Sequence, residues 1–185
     1  MSAIGSIPQQ QRVSAVIINY EAAPTLLECL ESLVGQDVGE IIVVDNGSSD
    51  GSAAAAARAY AQVELVTPER NLGFAGGANL GAGVASGELL LFLNPDVRLG
   101  PGAIRALADE FADGDVGVAG PPLEVEASGS VEHGATVDVI GSPVPLDRGA
   151  RPLYVPGCAL MTRSELFGEL GGFDSRFFLF VEDVD

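Results

Sequence analysis

Residues 13–45 read VSAVIINYEAAPTLLECLESLVGQDVGEIIVVD, and this stretch decides the fold class. Its first and last segments, 13–20 and 40–45, are short runs of branched apolar residues with the length and composition of β-strands. Between them, Pro24 suits the first turn of a helix and Gly35 its end. The intervening apolar residues recur on one helical face: Leu26, Leu30, Leu33 and Val34. The stretch therefore predicts a strand, a helix and a second strand.

The same alternation continues along the chain. Further strands are predicted at 63–67, 88–94 and 116–120. Further helices are predicted at 52–61, 74–86 and 101–111. The runs 40–45, 63–67 and 88–94 are continuously apolar or β-branched, which is typical of strands covered on both faces. This spacing predicts an α/β fold, a Rossmann-like, doubly wound and mostly parallel sheet with helices on both faces.

Two of the helices carry finer predictions. Ser48, Ser49 or Asp50 is expected to cap the helix over 52–61. The helix over 101–111 is expected to turn one set of residues inward: Ile104, Leu107, Ala108 and Phe111.

After residue 120 the pattern changes. LEVEASGSVEHGATV predicts a small hairpin that turns at Ser128-Gly129, and a proline-rich loop over 141–156 comes next. A strand at 157–162 and a short helix over 164–170, closed by Gly171-Gly172, complete the pattern. No linker divides the chain, so we expect a tail at 1–12 and one domain over 13–185.

Composition excludes some classes of function. The chain has 185 residues and a formal net charge of −17, and all nine basic residues are arginines. A nucleic acid would be repelled by this charge. Two cysteines, Cys29 and Cys158, are too few for a disulfide framework, and we expect both to be buried thiols in a reducing compartment.

The termini and the apolar runs bear on location. Residues 1–12 lack the pattern of a signal peptide, and no apolar run approaches the roughly 18–20 residues that span a bilayer. We therefore expect a cytoplasmic protein without a transmembrane segment, and docking on the inner face of the cell membrane is left open.

Polar residues come directly after three of the predicted strands. They are Asn19-Tyr20-Glu21, VDNGSSDGS at 44–52 and LNPDV at 93–97. Ligands of open α/β sheets bind beyond the carboxyl ends of the strands, so these residues are expected to share one site. For Asp45 alone, capping of the next turn is an equally simple interpretation.

Two other binding motifs are ruled out. NGSSDGS resembles the start of an EF-hand loop, but the acid needed at its twelfth position would be Ala57. NLGFAGGANLG at 71–81 suits a phosphate at a helix N-terminus, but it does not fit G-x-G-x-x-G and comes after the third strand. A dinucleotide site is therefore not predicted.

Asp96 is the clearest candidate ligand for a metal ion. Pro95 cannot continue a central strand, so the chain turns there and exposes Asp96 at the edge of the sheet. A single carboxylate suits a hard divalent cation that takes its other ligands from water and a diphosphate. An acidic protein without lysine needs such a cation to hold a phosphate ligand.

The final residues, FVEDVD at 180–185, place Glu182, Asp183 and Asp185 after the apolar run 177–179. A solvated acidic tail is the simplest interpretation. A functional interpretation becomes stronger when five ordered motifs are taken together: VSAVIINYEAAPTLLECLESL, IIVVDNGSSDGS, NLGFAGGANLG, GELLLFLNPDV and GGFDSRFFLFVEDVD. In this order they resemble the inverting glycosyltransferases of family 2, in particular the bacterial rhamnosyltransferase-like branch with the GT-A fold. The resemblance covers residues 13–185.

The resemblance implies a donor site. Asp45 resembles the acid that recognises the nucleotide base or ribose, and Glu21 stands where an asparagine is usual. Asn94 replaces the first acid of the Asp-x-Asp metal motif, which leaves Asp96 as the main protein ligand of Mg²⁺ or Mn²⁺. The residues implied to bind the nucleotide sugar are Asn19, Tyr20, Asp45, Asn71, Gly73, Asn79, Asn94 and Asp96.

The resemblance also implies the catalytic and acceptor residues. Glu182 and Asp183 match a Glu-Asp pair in which Asp183 is the catalytic base, whereas Asp185 is expected to be structural. Gly157 and Cys158 fall on the acceptor side, and His133 is expected on the surface. Because the chain ends inside this motif, we expect it to be a truncated or partial enzyme.

The implied function is transfer of a sugar, with inversion, from a nucleoside-diphosphate sugar to an acceptor hydroxyl. A donor like dTDP-rhamnose or a UDP-sugar, and a glycan or lipid-linked acceptor in cell-wall or surface polysaccharide synthesis, are expected. The alternatives are a nucleotide-sugar-binding module without activity and an acidic interaction domain without a ligand.

Overall fold

The structure of the protein, a computed structural model, describes residues 12–125, 130–132, 135–137, 143–145 and 155–178. The first part of the chain alternates strands and helices: β1 (Val13–Asn19), α1 (Thr25–Leu33), β2 (Glu40–Asp45), α2 (Ser52–Ala59), β3 (Val63–Val66), α3 (Gly73–Val84), β4 (Leu89–Leu93) and α4 (Ala103–Glu110). The second part is richer in short strands: β5 (Val118–Ala119), β6 (Leu123–Val125), β7 (Ser130–Glu132), β8 (Ala135–Val137), β9 (Pro143–Pro145), β10 (Ala159–Arg163) and α5 (Ser164–Glu169).

The central sheet has the order β3-β2-β1-β4-β10-β5. β1 lies parallel to both β2 and β4, and β2 lies parallel to β3. β10 runs antiparallel to β4 and β5 and is the exception in an otherwise parallel sheet. The predicted α/β fold with a mostly parallel sheet is confirmed.

Alternate residues of the strands face two separate cores. Ala15, Ile17, Val43 and Leu91 belong to the core that also holds Leu26, Leu30 and Leu33 of α1 and Ile104 and Leu107 of α4. Val16, Ile18, Val44 and Phe92 belong to the other core, with Phe74 and Ala78 of α3. Because successive strand residues point to opposite faces, helices must cover both faces of the sheet, as predicted.

Three predictions about single elements are wrong. β3 is an edge strand rather than a covered one, and Glu64 and Leu65 are exposed. Val34 does not face the core; α1 ends at Leu33, and the extended backbone at Val34 leaves its side chain 59% exposed. Pro143–Pro145 forms a strand inside the predicted loop, since proline is compatible with the edge of a two-stranded pair.

The predicted cap of α2 is wrong, whereas the hairpin predicted in the second part of the chain is present. Among the three candidate caps of α2, Asp50 accepts the Ser52 N–H (2.9 Å) through Oδ1, although Gly51 occupies the cap position itself. The expected hairpin is present as β6 and β7. Its turn at Ser128-Gly129 and His133 lie outside the described residues.

Glycines let α3 lie directly on the sheet. A Cβ at Gly81 would overlap the side chain of Val16 and press on that of Val44, whereas a Cβ at Gly83 would meet nothing within 4 Å. The helix therefore touches β1 and β2 at Gly81 and faces away from them at Gly83, which is exposed.

This pair of glycines gives a matched test of the packing. Gly81→Ala should destabilise the protein by about 1–3 kcal/mol, because the added methyl group overpacks the core. Gly83→Ala should stabilise it by about 0.5–1 kcal/mol, because alanine is the better helix former. Urea unfolding of both variants measures the difference, and similar free energies of unfolding would contradict the close contact.

Candidate active site

A cleft of about 540 Å³ opens beyond the carboxyl ends of β1, β2 and β4. Residues from several turns line it, among them Tyr20, Asn46, Asn71, Asn94, Asp96 and Phe178. This is the edge at which an open α/β sheet binds its ligands. The structure thus brings Tyr20, Asn94 and Asp96, which the sequence placed at three strand ends or turns, into one cleft.

A buried polar network joins the ends of β1 and β2. Their register sets Asn19 opposite Asp45. Both residues are buried, and Asn19 Nδ2 donates to Asp45 Oδ1 (2.9 Å) and to Ser52 Oγ (2.9 Å), with Ser48 Oγ at 3.1 Å. Asn19 is therefore a structural anchor, and neither it nor Asp45 is among the residues that line the cleft.

The Asp45 carboxylate is bonded mainly on one side. Besides the Asn19 amide, Oδ1 accepts the hydroxyl (2.5 Å) and the N–H (3.3 Å) of Ser48. Within the described part of the chain these bonds all fall on Oδ1. Asn19 Oδ1, in contrast, is buried without a partner among the described residues.

Sequence reasoning missed Asn46, which connects β2 to α3. Its Nδ2 donates to the Gly73 carbonyl (3.0 Å), and its Oδ1 accepts the Leu72 N–H (3.3 Å). Its own N–H donates to the Asn19 carbonyl (2.8 Å). The signal available in the sequence was its place directly after Asp45 at a strand end.

The turn after β1 is tied to the loop before α2. Glu21 has a left-handed backbone (φ 50°), and its Oε1 accepts the Ser49 N–H (2.7 Å). Asp50 Oδ2 accepts the Ala23 N–H (2.8 Å). These bonds leave the Tyr20 side chain 55% exposed at the cleft.

Asp96 projects from the turn after β4. It is exposed and shares the cleft wall with Asn94 and Pro95. The Cys29 thiol lies beside this turn, donating to the Asn94 carbonyl (3.7 Å). Burial, with a smaller contribution from the Asp96 charge, raises the pKa of Cys29 to about 12, so this thiol stays neutral.

The cleft fits a cation that brings other ligands with it. None of the described residues that line it is basic, and no group of three or more acidic, histidine or cysteine side chains in the described chain could enclose a metal. Asp96 could contribute one carboxylate oxygen to a hard cation, with water and phosphate oxygens completing the coordination.

Within residues 71–81, some side chains line the cleft and others contact a different part of the chain. Asn71 and Gly73 line the cleft, and Asn71 Oδ1 accepts the Gly73 N–H (2.8 Å). Asn79 does not line it; the side-chain amide is bonded to the backbone of Phe173. The structure therefore does not bring Asn79 together with the other residues predicted to bind the donor.

Gly157 and Cys158, the residues predicted on the acceptor side, lie beside the turn that follows β4. The Cys158 carbonyl accepts the Asn94 N–H (2.9 Å), and Gly157 precedes it on the approach to β10. Cys29 is buried, as predicted, whereas Cys158 is only half-buried. Glu182, Asp183 and Asp185 lie outside the described residues.

Comparison with known proteins identifies the family. The profile of Glycosyl transferase family 2 matches residues 14–166. This chain belongs to glycosyltransferase family 2. The N-acetylglucosaminyl-diphospho-decaprenol L-rhamnosyltransferase of Mycobacterium tuberculosis is 32% identical over 206 residues, which cover 92% of this chain and 67% of that protein. The O-antigen biosynthesis protein RfbC of Myxococcus xanthus is 29% identical, covering 92% of this chain and 15% of that protein.

Solved structures agree on the fold of this family 2 glycosyltransferase domain. The mannosyltransferase PcManGT from Pyrobaculum calidifontis, in complex with GDP-Man and Mn²⁺, superposes with a TM-score of 0.69 at 22% identity, covering 91% of this chain and 49% of that one. S. aureus TarS in complex with UDP gives 0.67 at 20% identity, covering 93% and 52%. The fold is GT-A, and the chain spans about half the length of these two solved chains.

Among the residues that the structure describes, no helix combines the length and the apolar character needed to cross a bilayer.

The contacts of Asp50 predict a pH-dependent stability. Hydrogen bonds from the Ser52 hydroxyl, the Ser52 N–H and the Ala23 N–H hold the pKa of Asp50 below its ordinary value of 3.8. A lowered pKa in the folded state stabilises the fold above the unfolded pKa, and this contribution is lost as the pH falls through the folded pKa. Asp50→Asn should therefore lower Tm at neutral pH, and its difference in Tm from the wild type should narrow as the pH falls below 3.8. A difference that does not change with pH would contradict this role.

Proposed function

We propose that this domain binds a nucleoside-diphosphate sugar together with Mg²⁺ or Mn²⁺ and transfers the sugar, with inversion, to an acceptor hydroxyl. The observation that carries the proposal is the position of Asp96: an exposed carboxylate in a cleft whose described walls hold no basic residue. Without a cation, Asp96 and Glu21 would repel a diphosphate. A divalent cation between Asp96 and the diphosphate removes that repulsion.

The nucleotide is proposed to lie on the side of β1 and β2. Asp45 Oδ2 meets the base or ribose, while Asn19 and Ser48 hold the carboxylate in place through Oδ1. The exposed ring of Tyr20 offers an apolar surface for the base. Asn71, which lines the cleft beside Gly73, is placed to contact the diphosphate or sugar.

The chemistry is proposed to lie on the side of β4 and β10. A bound cation would stabilise the negative charge that develops on the departing nucleoside diphosphate. Asp183 accepts the proton of the acceptor hydroxyl as that oxygen attacks the anomeric carbon, with Glu182 beside it. A single displacement with one base inverts the configuration. Gly157 and Cys158, next to Asn94, border the acceptor.

The relatives suggest which substrates to test first. The Mycobacterium tuberculosis relative is named for transfer of L-rhamnose to N-acetylglucosaminyl-diphospho-decaprenol, and the Myxococcus xanthus relative for O-antigen biosynthesis. We therefore propose a dTDP-rhamnose-like donor and a lipid-linked acceptor in cell-wall or surface polysaccharide synthesis. Such an acceptor would bring the enzyme to the cytoplasmic face of the membrane.

Cation-dependent binding tests the donor site. In calorimetric titrations, dTDP or UDP should bind with Mn²⁺ or Mg²⁺ and bind far more weakly in chelator. Asp96→Ala should raise the dissociation constant measured with the cation by tenfold or more, about 1.4 kcal/mol. Asp115→Ala, which removes the same charge from an exposed loop outside the cleft, is the matched control. Equal affinity with the cation and with chelator would refute the proposed site.

A second test separates binding from chemistry. Asp183→Asn should abolish transfer of rhamnose from dTDP-rhamnose to N-acetylglucosaminyl-diphospho-decaprenol but change the nucleotide dissociation constant by less than roughly twofold. Asp45→Ala should weaken nucleotide binding. If wild-type protein binds the nucleotide but transfers none of a panel of dTDP- and UDP-sugars, the domain is a binding module instead.

A further inference from the structure

The side chain of Asn79 forms two hydrogen bonds with the backbone of Phe173, a residue distant in the sequence. Its Nδ2 donates to the Phe173 carbonyl (2.7 Å), and its Oδ1 accepts the Phe173 N–H (2.9 Å). The two residues are 94 positions apart. Because both polar groups of one peptide residue are bonded to one amide side chain, the backbone of Phe173 is fixed in position and in orientation.

The surroundings of this contact leave little freedom for another arrangement. Gly172 has a left-handed backbone (φ 77°), and a Cβ there would collide with the Asn79 side chain. The Phe173 ring packs against Phe167, Phe92 and Phe74, with centroids 5.2, 5.3 and 5.8 Å away. The start of the 173–178 segment is thus held by both polar and apolar contacts.

The end of the 173–178 segment is held against the first turn of α3. The Phe178 carbonyl accepts the Phe74 N–H (2.8 Å), which has no partner within its own helix at that position. Gly73 has φ 71°, and a Cβ there would overlap the Phe178 carbonyl. The segment therefore spans from Asn79 to the N-terminus of α3, and Phe178 becomes part of the cleft wall.

The position of this segment matters because the predicted catalytic acids come soon after it in the sequence. Glu182 and Asp183 are four and five residues beyond Phe178. Five residues reach at most about 17 Å, so the anchor at Phe178 limits where the acids can be placed relative to the cleft. A base displaced by about 1 Å can lose on the order of 100-fold in rate.

We propose that Asn79 is a positioning residue for the transfer step: it fixes the 173–178 segment on α3 so that the acids beyond it reach the reaction centre. This inference rests on the proposed function. It also replaces the direct donor contact that the sequence predicted for Asn79. Asn79 acts on the rate of transfer and leaves nucleotide affinity unchanged.

The test compares Asn79→Ala with Gln36→Ala. Gln36 is a matched control because its amide also makes two hydrogen bonds to backbone, donating to the Ser32 carbonyl (2.6 Å) and accepting the Ile104 N–H (3.3 Å). It ties α1 to α4, which cover the other face of the sheet, and it is absent from the residues lining the cleft. Both variants should lose stability to a similar extent.

Three quantities are measured on the full chain: amide hydrogen exchange, the dissociation constant of dTDP with Mn²⁺, and turnover of dTDP-rhamnose with N-acetylglucosaminyl-diphospho-decaprenol. Asn79→Ala should speed exchange at Phe173 and Phe74 and lower kcat by about tenfold or more, with dTDP affinity unchanged. Gln36→Ala should change neither. Asn79→Asp, which keeps the acceptor for the Phe173 N–H, should fall between Asn79→Ala and the wild type.

The outcomes that overturn the inference are distinct from failure of the proposed function. Equal turnover of the Asn79→Ala and Gln36→Ala proteins, unchanged exchange at Phe173, or parallel losses of turnover and dTDP affinity would each overturn it while the wild type remains active. A wild type that binds no nucleotide and transfers no sugar would refute the proposed function, and the positioning role with it.

Discussion

The structure of the site depends on one buried hydrogen bond, between the amide of Asn19 and the carboxylate of Asp45. A buried carboxylate is costly unless hydrogen bonds satisfy it, and Asn19 and Ser48 supply them on Oδ1. The same amide reaches Ser52, the first residue of α2. One side chain thereby fixes two parallel strand ends and the start of a helix. The shape of the cleft results from that arrangement, because its walls are the turns that leave these strands.

Charge sets the second constraint on the site. The chain carries 26 acidic and nine basic residues, and the basic side chains of the described chain do not line the cleft. Arginine or lysine can neutralise part of the charge of a diphosphate directly, whereas an acidic cleft without basic residues needs a cation to do so. The exposed position of Asp96, beside a turn braced by Asn94 and Cys158, is consistent with that need. The proposed metal dependence is therefore a consequence of the electrostatics of the whole cleft.

α3 connects the parts of the site that the chain keeps far apart. Its glycines allow it to touch β1 and β2, and Asn46 bonds the end of β2 to its first turn. Its other contacts hold the 173–178 segment, through Asn79 at one end and Phe74 at the other. The helix thus links the ends of the strands to the segment that precedes the Glu-Asp pair in the sequence.

The amino-acid pattern by itself determined the α/β class, the parallel order of strands and helices, and the gathering of Asn19, Asp45 and Asp96 at one edge, because these depend on local periodicity and on the geometry of parallel strands. It could not show that β3 is an edge strand, because the sequence VELV is compatible with either a central or an edge position in the sheet. Nor could it separate Asn79 from Asn71, two asparagines of one glycine-rich motif, since their roles differ only through Phe173, which is 94 residues away from Asn79. Asn46 was missed for the same reason. Partners distant in sequence are decided by tertiary packing, and in this protein they determine which polar residues line the cleft and which hold its walls in place.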